Sequence, residues 1–272
     1  MSGRLRRVVF RVALGAGLLA VAGVIAQAAL IWPKVPVRRA LLEAIRPVKL
    51  TNCTLERFGH PNDGGYVMCA NLLDNAKVAY SYGIEGRDEW GCDISRQYHL
   101  AVHEYDCFDP RHPVCEGGEL IFHPECIGVN TEVIEGRSFD SFMSQLARNG
   151  DQGKNVVAKI DVEGAEWDSL LATPDDVLDR IEQLSIELHG TSDPKFVAVI
   201  KKLKKTFLVA NTHVNNFSCG VTPWPFPGWA YELLFVNKRL GIADPDAKSA
   251  APLDALNTIN RPGHRDCQID WK

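Results

Sequence analysis

The sequence predicts an α/β fold: a mostly parallel sheet with helices on both faces, preceded by one N-terminal hydrophobic helix. Three observations predict it. Strand-length apolar runs alternate with amphipathic stretches between residues 77 and 237, the pattern of a sheet built from strand–helix repeats. The first such run ends on Gly83, and a later one ends on Asp161. Turns of that kind lie where open parallel sheets bind ligands, beyond the carboxyl ends of the strands.

The elements follow in order. Residues 37–45 read as a short helix stopped by Pro47. Residues 77–82 form a buried strand, 88–97 a helix and 100–105 a second strand. Residues 107–124, rich in Pro, Gly, His and Cys, read as a long loop. A third strand is expected over 126–134, a helix over 139–149 and a strand over 156–160. A helix at 167–172 leads to a strand at 181–188. Phe196, Val199, Ile200 and Leu203 give 194–205 one apolar helical face. Strands at 207–212 and 231–237 complete the set. The expected organisation is an anchor or signal segment at 1–35, a linker with a short helix at 36–50, the domain at 51–240 and a loosely ordered polar tail at 241–272.

With 46% hydrophobic and 24% charged residues, the 272-residue chain has an ordinary globular balance. Its net charge of −4 and the lack of a dense basic stripe after the first fifty residues argue against a nucleic-acid partner. Arg4, Arg6, Arg7 and Arg11 precede a nearly uncharged run over 12–32, whose helical length of about 30 Å matches a bilayer core. This predicts a single-pass anchor. Ala26-Gln27-Ala28 resembles a small-x-small cleavage site, so a cleaved signal and export is the alternative. Lys34, Arg38 and Arg39 oppose the N-terminal cluster, and charge bias does not set the orientation.

Eight cysteines, an even number after a potential export signal, permit disulfides; buried thiols are the alternative. Cys107, His112, Cys115, His123 and Cys126 form a zinc candidate without a tight Cys-x-x-Cys pair. Asn52-Cys53-Thr54 and Asn216-Phe217-Ser218 are glycosylation sequons.

The first strand runs into Tyr80-Ser81-Tyr82-Gly83-Ile84-Glu85-Gly86, a turn at which a nucleotide-like ligand can approach the backbone, although a full G-x-G-x-x-G is absent. Asp106, about twenty residues on, stands where an acidic side chain accepts ribose hydroxyls; Glu104 is a rival. The strongest signal is Lys159-Ile160-Asp161-Val162-Glu163-Gly164-Ala165-Glu166. Three carboxylates gathered at one strand end oppose stability and point to a site, or else Glu163 and Glu166 cap the next helix.

That Asp-Val-Glu-Gly-Ala-Glu run resembles the FkbM-type methyltransferases, as does the Glu-x-His strand Leu184-Ser185-Ile186-Glu187-Leu188-His189. Arg57-Phe58-Gly59, Asp63-Gly64-Gly65-Tyr66-Val67-Met68-Cys69, Ser81-Tyr82-Gly83-Ile84 and Tyr105-Asp106 with Asp109-Pro110 are similar to the methyltransferase-like domain of membrane-anchored animal proteins and their bacterial kin. The resemblance spans residues 50 to 240. It implies a Rossmann-like class I methyltransferase fold of seven strands with the last antiparallel, and S-adenosylmethionine as cofactor. Asp63, Tyr82, Gly83, Glu85, Asp106 and Asp161 are then expected to bind the cofactor, with Asp109 as a rival to Asp106. Glu163, Glu187 and His189, near His213 and Asn215, are expected to serve catalysis. The implied reaction is O-methylation of a small molecule or glycan. Asp161, Glu187 and His189 suit a divalent metal but lack a diagnostic spacing, so no metal ligand is assigned. The stiff aromatic loop at 223–229 lies on the acceptor side or simply packs the sheet edge. A catalytically silent binding domain and a nicotinamide-dependent oxidoreductase are the other readings. Catalysis outside the cytoplasm requires cofactor delivery there; otherwise the domain faces the cytoplasm with reduced cysteines.

Overall fold

A computed structural model describes residues 34–220, 224–247 and 255–271. The hydrophobic segment expected at 12–32 lies outside the described residues. Among those described, no helix is long and apolar enough to cross a membrane.

In chain order the elements are α1 (Val35–Ala44), β1 (Leu55–Gly59), β2 (Gly65–Cys69), β3 (Val78–Tyr82), α2 (Glu89–Tyr98), β4 (Ala101–Tyr105), β5 (Glu119–His123), β6 (Cys126–Gly128), β7 (Glu132–Ile134), β8 (Arg137–Ser141), α3 (Phe142–Arg148), β9 (Val156–Ile160), α4 (Glu166–Ala172), α5 (Asp175–Leu178), β10 (Ile181–His189), α6 (Pro194–Thr206), β11 (Phe207–Val214) and β12 (Ala230–Asn237). Seven strands form the main sheet in the order β11-β12-β10-β9-β3-β4-β5. Pairing is parallel from β5 through β10, and β12 runs antiparallel to both its neighbours. This is a Rossmann-like sheet whose last strand is reversed and inserted inside the edge.

Alternate residues of each central strand serve opposite faces. Tyr80, Tyr82, Ala158, Ile160 and Leu184 pack with Leu41 of α1, Phe142 of α3, Leu170 of α4, and Val199 and Leu203 of α6. Ala79, Val157 and Val102 face Trp90 and Ile94 of α2, with Phe58 and Met68 of the β1–β2 hairpin. Each fully buried Val, Leu, Ile, Phe or Met side chain among these contributes about 1.5–3 kcal/mol. Asp88, Ser141 and Asp193 accept backbone N–H bonds at the starts of α2, α3 and α6, the last helped by Pro194 in the first turn.

Four sequence expectations change. The third parallel strand is β5, inside the segment expected to be loop; 126–134 instead contributes β6 and β7, which join β8 in a small separate sheet. The short run Glu119-Leu120-Ile121-Phe122-His123 is bounded by Gly117-Gly118 and Pro124, a strand signal hidden by loop-like surroundings. The β1–β2 hairpin was not anticipated, because its five-residue strands do not alternate cleanly. The supposed linker belongs to the domain: Leu41 and Ile45 are fully buried, and Arg38 donates to Ser192 Oγ at 2.9 Å. The tail also closes onto the domain, with Asn260 buried and Arg261 N donating to Asn216 Oδ1 at 2.8 Å.

All eight cysteines are paired, as Cys53–Cys69, Cys92–Cys115, Cys107–Cys126 and Cys219–Cys267. This replaces both the free-thiol reading and the zinc candidate, since no thiolate remains in the Cys107–Cys126 cluster. Two of the bridges pin the segment after β4, where Phe108 and Val114 are 70% and 94% exposed and cannot hold it by burial. The Asn216 sequon is closed to modification, because the side chain is 1% exposed and its amide donates to Arg261 O and His264 O.

Loop-closure entropy grows with the closed length. Cys219–Cys267 spans 48 residues, against 16 to 23 for the others. The Cys219→Ser/Cys267→Ser pair is therefore expected to cost about 4 kcal/mol, and each of the other three pairs about 3 kcal/mol. Urea unfolding of the four double variants checks the order, and peptide mapping without reductant should return four cross-linked pairs.

Candidate functional site

The carboxyl ends of β3, β4, β9 and β10 open into one cavity of about 750 Å³, a size suited to a small ligand. Asp63, Gly83, Glu85, Asp106, Asp161, Glu163, Glu187 and His189, eight of the nine residues expected at a site, line it. Tyr82 does not. Its ring is fully buried on Tyr105, and its hydroxyl donates to Gln145 Oε1 at 2.8 Å, so only its backbone serves the site.

At one end, Gly83 has φ +73, and a Cβ there would sit 1.5 Å from Asp161 O. The β3 and β9 turns thus touch, backbone to backbone, as only glycine permits. Asp106 is 6% exposed and accepts four backbone N–H bonds: Ile84 and Glu85 on Oδ2, Phe108 and Asp109 on Oδ1. A carboxylate has about four acceptor positions, so Asp106 shapes the two loops rather than offering free oxygens. Asp109 is paired with Arg111. Glu85, held at φ 47 with its side chain exposed, is an acidic group left open at this end.

Beneath this turn, strand register places Glu104, Ser81, Lys159 and Ser185 side by side across β4, β3, β9 and β10. Lys159 Nζ donates to Tyr82 O at 3.1 Å and Gly83 O at 2.6 Å. Burial, and then the neighbouring Asp88, push the Glu104 carboxyl up to about 9; burial also raises Asp88. Asp88 and Glu104 interact carboxyl to carboxyl, with the Ser81 hydroxyl beside Asp88, the arrangement of two carboxyls sharing one proton. Asp88 also caps α2 through Gly91 N, and Glu89 follows, so two acidic residues occupy the helix N-terminus at the cavity wall.

At the other end His189 is the hub. Its Nδ1 lies 3.3 Å from Glu166 Oε1, while Nε2 faces Glu163 Oε2 and Glu187 Oε1 at 3.6 Å and Asp161 Oδ1 at 4.0 Å. Buried Glu166 also accepts from His189 N and Gly164 N, so it orients the imidazole and closes the turn together. Asp161 Oδ2 accepts the Tyr66 hydroxyl at 2.9 Å. Burial raises the Asp161 carboxyl against Lys159, His189 and Tyr66; a quarter of the side chain faces the cavity, and water there tempers the rise. Burial and then Asp161, Glu232 and Asp63 raise Glu187 well above the carboxylate range. Burial pushes His189 down, but Glu166, Asp161 and Glu163 more than reverse this, and its pKa is raised.

Beside the hub, Asp63, Glu187 and Glu232 cluster within 4.8 Å. Asn215 Nδ2 donates to Asp63 and Glu187, Asn260 Nδ2 donates to Asp63 and Glu232, and His213 Nδ1 lies 3.2 Å from Glu232. Sequence reasoning missed Glu232, Tyr66, Asp88 and Asn260. Glu232 reaches Glu187 because β12 inserts beside β10, a pairing that no local pattern reveals. Of the aromatic loop, Phe226 is core, stacked on Tyr231, whereas Trp229 lines the cavity.

Fold and site define a Rossmann-like α/β domain with an acidic cavity across its strand ends. No family model and no curated protein matches the chain. Among solved structures it is similar to the fibrillarin pre-rRNA processing protein of Methanococcus jannaschii, with 12% identity over 61% of this chain and 68% of that one and a TM-score of 0.34. So slight a likeness adds nothing to the sheet order itself.

Two outcomes follow from the geometry of the Gly83 end. Because Glu104 titrates near 9 when folded but near its ordinary 4.5 when unfolded, the folded chain keeps a proton that the unfolded chain releases, and stability falls as pH rises through that window. Glu104→Gln should remove this fall, on the order of 1 kcal/mol per pH unit, read as urea midpoints at about pH 6 and about pH 8.5. Gly83→Ala should lower thermal stability markedly by forcing the β3 and β9 turns apart, as calorimetry will show.

Proposed function

We propose that this chain is an S-adenosylmethionine-dependent methyltransferase acting on a hydroxyl oxygen of a small molecule or glycan. One observation carries the reading: the α2 N-terminus beside the β3 turn is already capped by Asp88 and followed by Glu89. A dinucleotide places its pyrophosphate at such a helix start, where the backbone N–H groups and dipole favour an anion. Here the cap side chain of Asp88 and then Glu89 stand in that place, and Glu85 and Glu163 add exposed carboxylates to the lining. Such a cavity repels a phosphate ligand and suits a cationic, phosphate-free one, as S-adenosylmethionine is. The reversed last strand agrees with the same reading, as do the Asp-Val-Glu-Gly-Ala-Glu and Asp-Gly-Gly-Tyr motifs.

The cofactor fits the residues present. Ile84, Phe108, Ile127 and Phe139 offer apolar surface for a purine beside the Gly83–Glu85 turn, and Glu85 offers free carboxylate oxygens for ribose hydroxyls. Asp106 holds that turn in shape. When bound, the cofactor supplies a sulfonium methyl; transfer to an acceptor oxygen breaks the carbon–sulfur bond, leaves its electron pair on sulfur and forms the carbon–oxygen bond. The chain's own task is alignment, with Asp161 and Glu163 lining the junction between the two ligands. Glu163, whose carboxylate is open to the cavity, takes the acceptor proton, while Glu187 and His189 orient the acceptor. Phe217 and Trp229 on the cavity wall give an acceptor sugar or ring a face to stack on.

Four disulfides support an oxidising compartment for the domain, reached through residues 1–35 as a membrane anchor or a cleaved signal, with the cofactor supplied there. This reading favours that compartment over a cytoplasm-facing domain with reduced thiols.

Calorimetric titration of the full-length chain with S-adenosylmethionine, S-adenosylhomocysteine and a nicotinamide dinucleotide tests the reading. Micromolar binding of the first two, weakened at least tenfold in Asp106→Ala and Asp161→Ala, with none of the dinucleotide, is the expected outcome. A folded chain that binds neither methyl-cycle ligand would instead be a silent domain retaining the fold.

A further inference from the structure

We propose that Asp161, Glu163 and His189 form a binding site for a divalent metal ion at the acceptor end of the cavity. The three ligand atoms, two carboxylate oxygens and an imidazole nitrogen, lie within 4.8 Å of one another. One imidazole with hard oxygen ligands suits a first-row cation such as Mn²⁺.

Acidic groups gather elsewhere without any ion, and the neighbouring trio Asp63, Glu187 and Glu232 shows how. There two asparagine amides and His213 supply hydrogen-bond donors to the carboxylates, so the cluster is satisfied by protein alone. At the first trio, among the described residues, only the Tyr66 hydroxyl donates to a carboxylate oxygen, on Asp161. The His189 side chain is nine-tenths buried, its Nδ1 is held by Glu166, and its Nε2 is aimed among three carboxylates at 3.6 to 4.0 Å without a hydrogen bond to any of them. A carboxylate on the far nitrogen is the common support of a metal-ligating histidine, because it fixes the ring and directs the other lone pair outward. Asp161 is prepared in the same way: Tyr66 occupies Oδ2 and leaves Oδ1 for the cavity. Ligands about 2.1 Å from one ion stand about 3–3.4 Å apart, so the Asp161–His189 pair at 4.0 Å must close by roughly half an ångström or more, and Glu163 must move in to complete the site. Glu163 can make that movement, since its side chain is 78% exposed.

An ion here would keep positions open toward the cavity. Its role in catalysis rests on the methyl-transfer reading and would narrow the acceptor to one that binds metal through oxygen, a hydroxyl or a vicinal diol. The site itself does not rest on that reading.

Mn²⁺ titration of the full-length chain, without cofactor and followed by electron paramagnetic resonance of free Mn²⁺, tests the proposal. One equivalent should bind, weakened at least about 100-fold by His189→Gln and Asp161→Asn, and about 10–100-fold by Glu166→Gln, which acts through the ring. Glu163→Gln changes an exposed side chain, so it reports on the site even where a buried variant fails to fold; it too should weaken binding. The absence of binding up to about 1 mM Mn²⁺ in the folded chain overturns the proposal, as does binding unchanged in Glu163→Gln and His189→Gln. Because S-adenosylmethionine binding is measured separately, loss of either result leaves the other standing.

Discussion

A sheet edge that collects carboxyl groups from four strands must solve a repulsion problem, and the ammonium of Lys159 is the centre of the solution. It sits 4% exposed in the middle of the sheet, where an unpaired charge would be costly. Its hydrogen bonds run to the carbonyls of Tyr82 and Gly83, so it ties β9 to the end of β3 at the point where the two turns touch. It also attracts Asp88, Glu104 and Asp161, moderating the rise that burial imposes on each. The glycine at 83 and the lysine at 159 therefore work as a pair. One lets the strands' ends approach, and the other makes the resulting charge density tolerable.

Around that centre the two ends of the cavity are built on different principles. The Gly83 end is organised by backbone: Asp106 gathers four N–H groups, and disulfides from Cys107 and Cys115 hold the adjoining segment to β6 and α2. The His189 end is organised by side chains, in which Glu166 and Tyr66 aim groups they do not themselves add to the cavity. A rigid backbone cradle beside a polar, side-chain-defined pocket is a division suited to one constant ligand and one that is selected.

Covalent ties carry weight here because the segments they hold have little else. The stretch after β4 exposes its large apolar residues yet lines the cavity through Phe108, and the polar tail after residue 255 is tied to the domain by Cys267. Through Asn260 and Asn216 the tail joins the hydrogen bonds around Glu232 and the short 3₁₀ turn Asn216–Ser218 after β11, which makes it part of the site's scaffold rather than an appendage.

The sequence by itself determined the strands with strong apolar runs, β3, β4, β9, β10, β11 and β12, and the carboxylates and histidine at their ends. Both are local properties: an apolar run specifies a buried strand, and strand ends specify where side chains emerge. It did not disclose β5 or the hairpin, since short strands amid Pro, Gly and Cys carry no periodicity of their own. Only the tertiary structure decided that Asp106 holds loops instead of standing free, because its four partners come from two separate turns. The same holds for Glu232 beside Glu187, for Tyr66 on Asp161 and for the four cysteine pairs. Each joins residues distant in the chain, and contact between such residues is set by the order in which strands pair, which no short stretch of sequence encodes.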